Sequence, residues 1–543
     1  MKDILLLQLN RLGDLVQTLP LMRRMRTDHP DARIVLVAQE GFSAILGECD
    51  YFDVLITLTL GQVEALGAPE QQAAFPNLAP FDSHPEFSRT YDLIVNLTND
   101  LGSSVLCRKI GAERKLGRVD TYEGEIRLLG PWAKYMFSLV SNRIDNPFNI
   151  VDIQMGIAGK APRPEPRSLR VTEARRREAR EFLAAAGKRP ERKLIALQTA
   201  ASELHRAWSL ENFSALAQSL LAPGDVDIVL VGDARERERT ERLAGLVGLP
   251  VINAAGKTSL LQLPALLEAC DLLISNDTGT IHVGAAAGTP TLGLYFSTAY
   301  YPETAPYGEN HAVLQVEIPC SPCQTSSRCA VQTCREYLTP EAVHETAAWM
   351  LGIRREVPLA RPNLSLYASR FLANGTLAYV PVRPESPSEH YMSGLLGRFL
   401  WDGTLGLRPD PLMETYRMRL CASEAWNRKK DGLMEALAGM TLSFRDGLEW
   451  ADSLRAEFAA DSPRRERIME LHGNLARLGK AMAEETKVTG ICGTFLKFEM
   501  MDMDFATYPV LADILAGKYR SLTEWVGRFD SALARLSAAA LSV

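Results

Sequence analysis

The first third of the chain alternates between short apolar runs and longer amphipathic stretches. "DILLLQL" is followed by a helical stretch through "LPLMRRMRTDHP", and then by "RIVLVAQ", "DVLITLTL" and "YDLIVNLT". Short apolar runs bounded by polar turns are typical of strands buried on both faces, and intervening helices imply parallel pairing. The pattern predicts a parallel sheet covered by helices, with a polar insertion around residues 66–90.

A second series of the same kind begins after a proline-rich segment. "GKAPRPEPRSLRVT" leads to a charged helix, "TEARRREAREFLAAAG", and then to "KLIALQT", "VDIVLVG" and "DLLISND", with "PVINAAG" and "PTLGLYF" as shorter partners. The two series predict two doubly wound α/β domains in tandem, over residues 1–165 and 166–355. Ligands of such sheets bind beyond the carboxyl ends of the strands, so we expect the ligand between the two domains.

The pattern changes after about residue 355. "LSLYASRFLANGTLAYVPV" predicts a β-hairpin with Asn374-Gly375 as its turn, within a linker of residues 356–390. Stretches such as "RRERIMELHGNLARLGKAMAEE" have helical periodicity. We therefore predict a helical extension over residues 391–543, in which we find no catalytic motif.

Length and charge narrow the class of protein. At 543 residues the chain is too long for one hydrophobic core. The formal net charge of −6 gives no global reason to expect a nucleic acid as a partner. No apolar stretch approaches the length of a membrane span, and "MKDILLLQLNRLGD" lacks the layout of a signal peptide. We expect a cytoplasmic protein, with a peripheral contact to the inner membrane left open.

One segment, "LLISNDTGTIHVGAAAGTP" at residues 272–290, combines a strand, a tight turn and a helix. Leu272–Ile274 predicts a buried strand, and Asp277 or Thr278 is a natural N-cap for the helix that follows. Such a helix directs unpaired N–H groups and the positive end of its dipole at a ligand above the strand, which suits an anion. The segment predicts a phosphate-binding turn, or alternatively an ordinary strand-to-helix connection.

Polar residues also follow other predicted strands. Gly13 and Asp14 lie in the turn after the first strand, where Asp14 is either a helix N-cap or a general base facing a substrate hydroxyl. In the second domain, "QTAASELHRAW" carries Arg206, either a solvated charge or a guanidinium that suits a diphosphate. "VGDARERE" carries Glu236, a carboxylate that suits the hydroxyls of a ribose.

These segments together resemble the lipopolysaccharide heptosyltransferases, glycosyltransferase family nine, whose members have the GT-B fold. The resemblance rests on "RLGDLVQTLPLMRRMR", "YDLIVNL", "HRAW", "VGDARERE", "AGKTSL" and "SNDTGTIHVGAAAGTPTLGLYF", which follow one another between residue 1 and about 350. It implies an α/β fold of two doubly wound Rossmann-like domains facing a cleft. The first domain would bind the acceptor and the second the nucleotide sugar.

The resemblance also implies roles for individual residues. Asp14 would be the base that deprotonates the acceptor hydroxyl, Glu236 would bind the ribose, and Arg206 would hold the leaving diphosphate. The other donor-binding residues that it implies are Ala201, Ser202, Asp277, Thr278, Gly279, Thr280 and His282. Arg206 in place of the family's more usual lysine, and "QTAAS" in the preceding loop, leave the donor preference open.

One general base and a diphosphate leaving group predict a particular reaction. Because the diphosphate leaves without being protonated, we expect an inverting single displacement that needs no cofactor. The expected donor is a nucleoside-diphosphate sugar of the ADP-heptose type, and the expected acceptor is a cell-surface glycan such as lipopolysaccharide core. Two alternatives stay open. One is a protein acceptor such as a flagellin or an autotransporter; the other is a non-catalytic sugar-nucleotide-binding scaffold, with the extension as a homo-oligomerisation module.

The segment "CRKIGAERKLGRV" concentrates basic residues in the first domain. They suit a phosphorylated or carboxylated acceptor, although a solvated basic face explains them equally well. The acceptor-binding candidates are Arg108, Lys109, Arg114, Lys115 and Arg118.

Four of the nine cysteines crowd into "CSPCQTSSRCAVQTC". They are Cys320, Cys323, Cys329 and Cys334. Four thiols this close in a reducing compartment are more often metal ligands than disulfides, and both zinc and iron are compatible with four thiolates. The segment also resembles the cysteine motif of the related bacterial protein heptosyltransferases, which hold iron in a finger. We expect a structural zinc or iron, against the alternative of free cysteines packed in a loop.

Overall fold

The computed structural model describes most of the first 388 residues. The described residues are 1–66, 84–120, 126–139, 143–201, 203–323, 329, 331–383 and 388, with scattered positions between 391 and 456. The chain divides into two compact units, Met1–Ile126 with Phe148–Ser388, and Arg127–Pro147 with Glu389–Val543. The predicted helical extension over 391–543 lies almost entirely outside the described residues.

The first sheet belongs to the first unit and is parallel. Its strands are β1 (Asp3–Gln8), β2 (Arg33–Gln39), β3 (Val54–Leu58), β4 (Thr90–Asn96) and β5 (Gly111–Asp120). They lie in the order β3-β2-β1-β4-β5. The central strand β1 is buried at every position but the first, which is why its sequence is a continuous apolar run. A further strand, β6 (Ile126–Leu129), follows in the chain.

Helices connect these strands, as parallel pairing requires. Those between the strands are Leu12–Asp28, Glu40–Ser43, Leu60–Leu66 and Leu101–Lys109, and the helices Pro131–Ser138 and Ile150–Ile157 follow later in the chain. Several of them begin with a side-chain cap. Asp100 accepts a hydrogen bond of 2.7 Å from the Ser103 amide, and Asn149 accepts one of 3.1 Å from the Val151 amide.

The second sheet has the same parallel arrangement over six strands. They are β7 (Lys193–Gln198), β8 (Val226–Val231), β9 (Ile252–Asn253), β10 (Leu272–Asn276), β11 (Thr291–Tyr295) and β12 (His311–Val316). Their order is β9-β8-β7-β10-β11-β12. Every residue of β10 is buried, because helices cover both faces of the sheet.

The second domain also contains helices. They are Glu173–Ala185, Leu210–Leu221, Arg237–Val247, Leu263–Glu268, Gly279–Ala287, Tyr301–Thr304 and Pro340–Met350. Gly248 and Gly288 follow two of them in the left-handed conformation that favours glycine. Among the residues that the structure describes, no helix has the length and apolar character needed to cross a membrane.

A hairpin extends the second sheet. Its strands are β13 (Leu364–Phe371) and β14 (Leu377–Pro381), and β13 pairs antiparallel with β12. Gly375 in the turn has a φ of +88°, and a Cβ atom there would overlap the carbonyl oxygen of Pro162. The turn therefore requires glycine for both its conformation and its close approach to the segment that links the two sheets.

In each sheet the order of strands reverses at one place, between β1 and β4 and between β7 and β10. Loops on either side of such a reversal diverge and leave a crevice at the carboxyl ends of the strands. The segments that follow β1, β7 and β10 are those in which Asp14, Arg206 and Asp277 lie. The topology therefore predicts that a ligand binds near these three segments.

Candidate active site

The turn after β1 and the helix after β10 touch each other. A Cβ atom on Gly13 would lie 2.9 Å from Cδ2 of His282, and one on Gly279 would lie 3.2 Å from the backbone nitrogen of Gly13. The first turns of the helices Leu12–Asp28 and Gly279–Ala287 therefore meet closely, with the His282 ring and the Leu12 side chain in the contact. This contact joins the carboxyl edges of the two sheets.

Asp14 lies in the first turn of its helix and is partly exposed. The backbone N–H of Arg11 donates a hydrogen bond of 3.2 Å to Oδ2 of Asp14. Burial raises the pKa of Asp14 above its ordinary value, and the negative charge of Asp277 raises it further, against the opposing influence of Arg11. The carboxylates of Asp14 and Asp277 thus lie within electrostatic range of each other, and Asp14 is a stronger base than an exposed aspartate.

The helix Gly279–Ala287 begins without a side-chain cap. Its N-cap residue, Thr278, places Oγ1 3.2 Å from Oγ of Ser275 instead of bonding to the first helical turn. The amides of Gly279 and Thr280 at the helix start are therefore suited to an anion, which the helix dipole also favours.

Arg206 and Asp277 form an ion pair beside this helix start. Nη2 of Arg206 donates hydrogen bonds to Oδ2 of Asp277 at 2.6 Å and to the Asp277 carbonyl oxygen at 3.3 Å. The Tyr295 hydroxyl lies 3.4 Å from Oδ1 of Asp277 and donates to the Thr304 carbonyl at 3.0 Å. Nε of Arg206 is buried and has no hydrogen-bond partner among the described residues. The pair fixes the guanidinium near the helix start and leaves part of it for a ligand.

Asn276 holds the loop that carries Arg206, and the sequence analysis did not identify it. Its Oδ1 accepts a hydrogen bond of 3.0 Å from the Trp208 amide, and its Nδ2 donates to the carbonyl oxygens of Thr199 at 3.1 Å and Ala200 at 3.2 Å. Asn276 is fully buried. The sequence clue to its role is an asparagine at the end of an otherwise apolar strand.

The loop after β7 contains two more of the predicted donor-binding residues. Ala201 is partly exposed and follows the two carbonyl groups that Asn276 holds. Ser202 lies outside the described residues. The Arg239 guanidinium donates to the Thr199 carbonyl at 3.1 Å and 3.2 Å, which fixes the start of the loop.

Glu236 lies after β8, at the same edge of the second sheet. Its Oε2 accepts a hydrogen bond of 3.0 Å from the Asp233 amide, and its Oε1 accepts one of 3.3 Å from Nε2 of Gln198. Burial raises the pKa of Glu236, and the charge of Asp233 contributes in the same direction. Gln198, the last residue of β7, is a second residue that the sequence analysis did not identify.

His282 is buried under the contact between the two helices. Burial lowers its pKa to about 4, so the imidazole is neutral near pH 7. Its Nδ1 is without a hydrogen-bond partner in the described part of the chain. A neutral ring that packs against Gly13 explains why the two helices approach so closely.

The structure separates the five basic acceptor candidates. The helix Leu101–Lys109 starts at the carboxyl edge of the first sheet and returns the chain to the start of β5, so Arg108 and Lys109 lie toward the opposite edge. Nζ of Lys115 donates a hydrogen bond of 3.1 Å to the Arg108 carbonyl. Burial lowers the pKa of both Lys109 and Lys115.

Arg118 is the candidate nearest the carboxyl edge of the sheet, where Asp14 lies. Its Nη1 donates to the Asn99 carbonyl at 3.2 Å, and its Nε donates to Oδ1 of Asp120 at 3.2 Å. Arg114, in the middle of β5, is exposed. The sequence spacing suggested one basic cluster. The helix Leu101–Lys109 and the strand β5 run in opposite directions, so the basic residues lie at both edges of the first sheet.

The four cysteines of the predicted metal site lie in differing environments. Cys334 is buried, Cys323 is half-buried, and Cys320 and Cys329 are exposed. Burial raises the pKa of Cys323, and the other three thiols add to the shift. In the described part of the chain, however, no three His, Cys, Asp or Glu side chains form a group that could hold a metal ion. The zinc or iron therefore stays a prediction.

The fold and the site together define the class of protein. Two doubly wound domains join at the carboxyl edges of their sheets, with a carboxylate on one and an uncapped helix start with an arginine on the other. This is the GT-B architecture of glycosyltransferases. A solved structure, the glycosyl transferase family 9 from Veillonella parvula DSM 2008, has the same fold, with a TM-score of 0.50 and 21% identity over 65% of this chain and 98% of that one.

The sequence comparisons give a family match for part of the chain. Residues 87–333 match the model of Glycosyltransferase family 9 (heptosyltransferase). Lipopolysaccharide core heptosyltransferase OpsX of Haemophilus influenzae is 28% identical over 238 residues, which are 42% of this chain and 63% of that protein. Lipopolysaccharide heptosyltransferase 3 of Escherichia coli is 25% identical over 298 residues, 53% of this chain and 81% of that protein.

Proposed function

We propose that this protein is an inverting glycosyltransferase that transfers a heptose-like sugar from a nucleoside-diphosphate donor to a hydroxyl of a lipopolysaccharide core acceptor. One observation carries the proposal. The carboxylate of Asp14 lies within electrostatic range of Asp277, where the helices Leu12–Asp28 and Gly279–Ala287 meet. The proposal assigns Asp14 as the base and the neighbouring helix start as the site for the diphosphate.

In the proposed reaction, Asp14 accepts the proton of the acceptor hydroxyl. The acceptor oxygen forms a bond to the anomeric carbon as the bond from that carbon to the diphosphate breaks. Attack opposite the leaving group inverts the anomeric configuration, and a single base suffices because the diphosphate leaves as an anion. The raised pKa of Asp14 supports this role, since a stronger base removes the proton more readily.

The second domain stabilises the charge that develops on the diphosphate. The amides of Thr278, Gly279 and Thr280 and the guanidinium of Arg206 supply fixed donors at the helix start. Asp277 keeps Arg206 in place through the 2.6 Å ion pair, so little reorganisation is needed when the charge appears. These groups carry the proposed catalysis without a bound metal ion.

The substrates are proposed from the relatives and from the site. Two relatives are named as heptosyltransferases of lipopolysaccharide, which supports heptose as the sugar and lipopolysaccharide core as the acceptor. Glu236 lies beside the last residue of β7, and its carboxylate suits the hydroxyls of the ribose of a nucleotide such as ADP. The proposed donor is therefore of the ADP-heptose type.

Substitution of the base tests the proposal. Asp14→Asn is expected to lower kcat for transfer from ADP-heptose to a core acceptor by about 10²- to 10⁴-fold, while the Kd for ADP stays unchanged. Release of ADP from the donor and calorimetric titration measure the two quantities. Asp28→Asn, at the other end of the same helix and paired with Lys160, is the matched control and is expected to retain kcat. Equal inactivity of wild type and Asp14→Asn with every donor, with nucleotide binding intact, would support a non-catalytic scaffold instead.

A further inference from the structure

Gln198 ends β7 beside Glu236 and is almost fully buried, at 3% exposure. Its Nε2 lies 3.3 Å and 3.5 Å from the two carboxylate oxygens of Glu236. A carboxylate only accepts hydrogen bonds, so the NH₂ of the amide must be the group that faces it. The amide oxygen, Oε1, therefore faces away from Glu236 and is able to accept a hydrogen bond from another donor.

That oxygen has no donor in the part of the chain that the structure describes. Oε1 of Gln198 is buried without a hydrogen-bond partner, and the same holds for Oγ1 of the next residue, Thr199. Nε of Arg206, in the same loop, is the third such atom. Buried polar atoms without partners are rare because they are costly, and several in one loop indicate that a bound molecule supplies the missing hydrogen bonds.

The neighbouring carboxylate is held ready for the same molecule. Oε2 of Glu236 accepts from the Asp233 amide at 3.0 Å and Oε1 accepts from Gln198, so both oxygens are oriented by protein donors. Each carboxylate oxygen can accept a second hydrogen bond. Gln198 and Glu236 therefore present acceptors side by side, at the carboxyl ends of adjacent strands. Two neighbouring acceptors match two neighbouring hydroxyl groups, as on the ribose of a nucleotide.

We propose that Gln198 determines specificity for the ribose of the donor: its Nε2 orients Glu236, and its Oε1 accepts a hydrogen bond from one ribose hydroxyl while Glu236 accepts one from the other. The inference rests on the proposed function, which supplies the nucleotide, and adds a residue for which the family resemblance implied no role. If the inference is correct, the protein binds ribonucleotides more tightly than their deoxy forms, and this preference depends on Gln198.

Binding measurements with deleted hydroxyls test this inference. Calorimetric titration compares ADP with 2′-deoxy-ADP and 3′-deoxy-ADP. Wild-type protein is expected to bind ADP about two- to tenfold more tightly than either deoxy form, the effect of one hydrogen bond. Gln198→Met keeps the side-chain volume but neither donates nor accepts, so it is expected to remove the preference at one of the two hydroxyl positions. Preservation of both preferences in Gln198→Met would overturn the proposal.

Two comparisons keep the result interpretable. Gln315→Met changes another buried glutamine of the same sheet, which bonds to the Tyr301 amide at 3.1 Å, and is expected to keep both preferences. Gln198→Glu places a second carboxylate beside Glu236 and is expected to weaken ADP binding by more than tenfold near neutral pH; unchanged ADP binding would contradict the inference. Failure of wild-type protein to bind ADP would instead overturn the proposed function and this inference with it.

Discussion

The ring of His282 packs directly against the backbone of Gly13, so that a Cβ atom on Gly13 would lie 2.9 Å from Cδ2 of the ring. The ring is buried and cannot move aside easily. We therefore expect Gly13→Ala to push the two helix starts apart and to lower the free energy of unfolding by about 1–3 kcal/mol. Thermal unfolding measures this effect. Because Asp14 follows directly, kcat/KM is expected to fall with it.

The matched control for this change is a helical glycine with open space around it. Gly245 lies in the helix Arg237–Val247, is exposed, and has no atom within 4 Å of the position of a Cβ. Gly245→Ala is expected to raise the free energy of unfolding by about 0.5–1 kcal/mol, because alanine favours the helix. Equal effects of the two substitutions on kcat/KM would contradict a specific contact at Gly13.

The proximity of Asp14 and Asp277 predicts the pH dependence of transfer. The base must be deprotonated, so kcat/KM is expected to fall as the pH decreases through the pKa of Asp14, which lies above its ordinary value. Asp277→Asn removes a negative charge from the surroundings of Asp14 and releases Arg206 from its ion pair. Loss of the Asp277 charge lowers the pKa of Asp14, so the acid limb of the profile is expected to move to lower pH. If the acid limb of the kcat/KM profile does not move in Asp277→Asn, a group other than Asp14 determines that limb.

The same raised pKa predicts a gain in stability when the base is removed. An acid whose pKa is higher in the folded state destabilises the fold once it ionises, and this effect disappears as the pH falls through the folded pKa. At neutral pH, Asp14→Asn is therefore expected to raise Tm, since an asparagine oxygen still accepts the bond from Arg11. The gain should vanish at pH values below the ordinary pKa of aspartate. A variant that is less stable at neutral pH would contradict this.

Arg206 is expected to act on the donor alone. Arg206→Ala removes the hydrogen bonds to Asp277 and the proposed contact with the diphosphate, and we expect the Kd for ADP to rise about 10- to 100-fold. Arg206→Lys should give a smaller rise, because lysine keeps the charge but not the planar fork. Calorimetric titration measures both. Arg242→Ala, a side chain that is 67% exposed, is the control and should leave the Kd unchanged; an equal rise there would point to a general loss of charge.

The main strands could be predicted from sequence because the sheets are parallel and covered on both faces. In β1 and β10 the buried positions follow one another without a polar interruption, so each strand is a recognisable apolar run between turns. Asp14 and Asp277 were predicted as site residues for a related reason. Asp277 directly follows β10 and Asp14 lies in the first helical turn after β1, and the carboxyl ends of parallel strands are where ligands bind.

The residues that support the site could not be predicted in the same way. Gln198 ends β7 whereas Glu236 follows β8, and Asn276 holds a loop that starts 77 positions earlier in the chain. Their roles depend on which strands become neighbours, and the reversal between β7 and β10 decides that. Spacing along the chain carries no information about such pairs until the strand order is known.

The division of the basic residues predicts which of them affects the acceptor. Arg118 lies at the carboxyl edge of the first sheet, near Asn99, whereas Lys109 lies toward the opposite edge at the end of its helix. Arg118→Ser is expected to raise the KM for a phosphorylated core acceptor several-fold, without changing the Kd for ADP. Lys109→Ser removes the same charge and is expected to change neither. Steady-state kinetics with the acceptor varied measure the difference.

The partner of Arg118 requires a second variant. Asp120 is 2% exposed, and burial already raises its pKa, so the loss of Arg118 also leaves a buried carboxylate without its ion pair. Arg118→Lys keeps a positive charge beside Asp120. If Arg118 binds the acceptor through its planar fork, Arg118→Lys should keep the stability of wild type and still raise the acceptor KM. If the acceptor KM rises only in the variant whose Tm also falls, Arg118 acts through Asp120. If the KM rises equally in Lys109→Ser, the whole basic face attracts the acceptor.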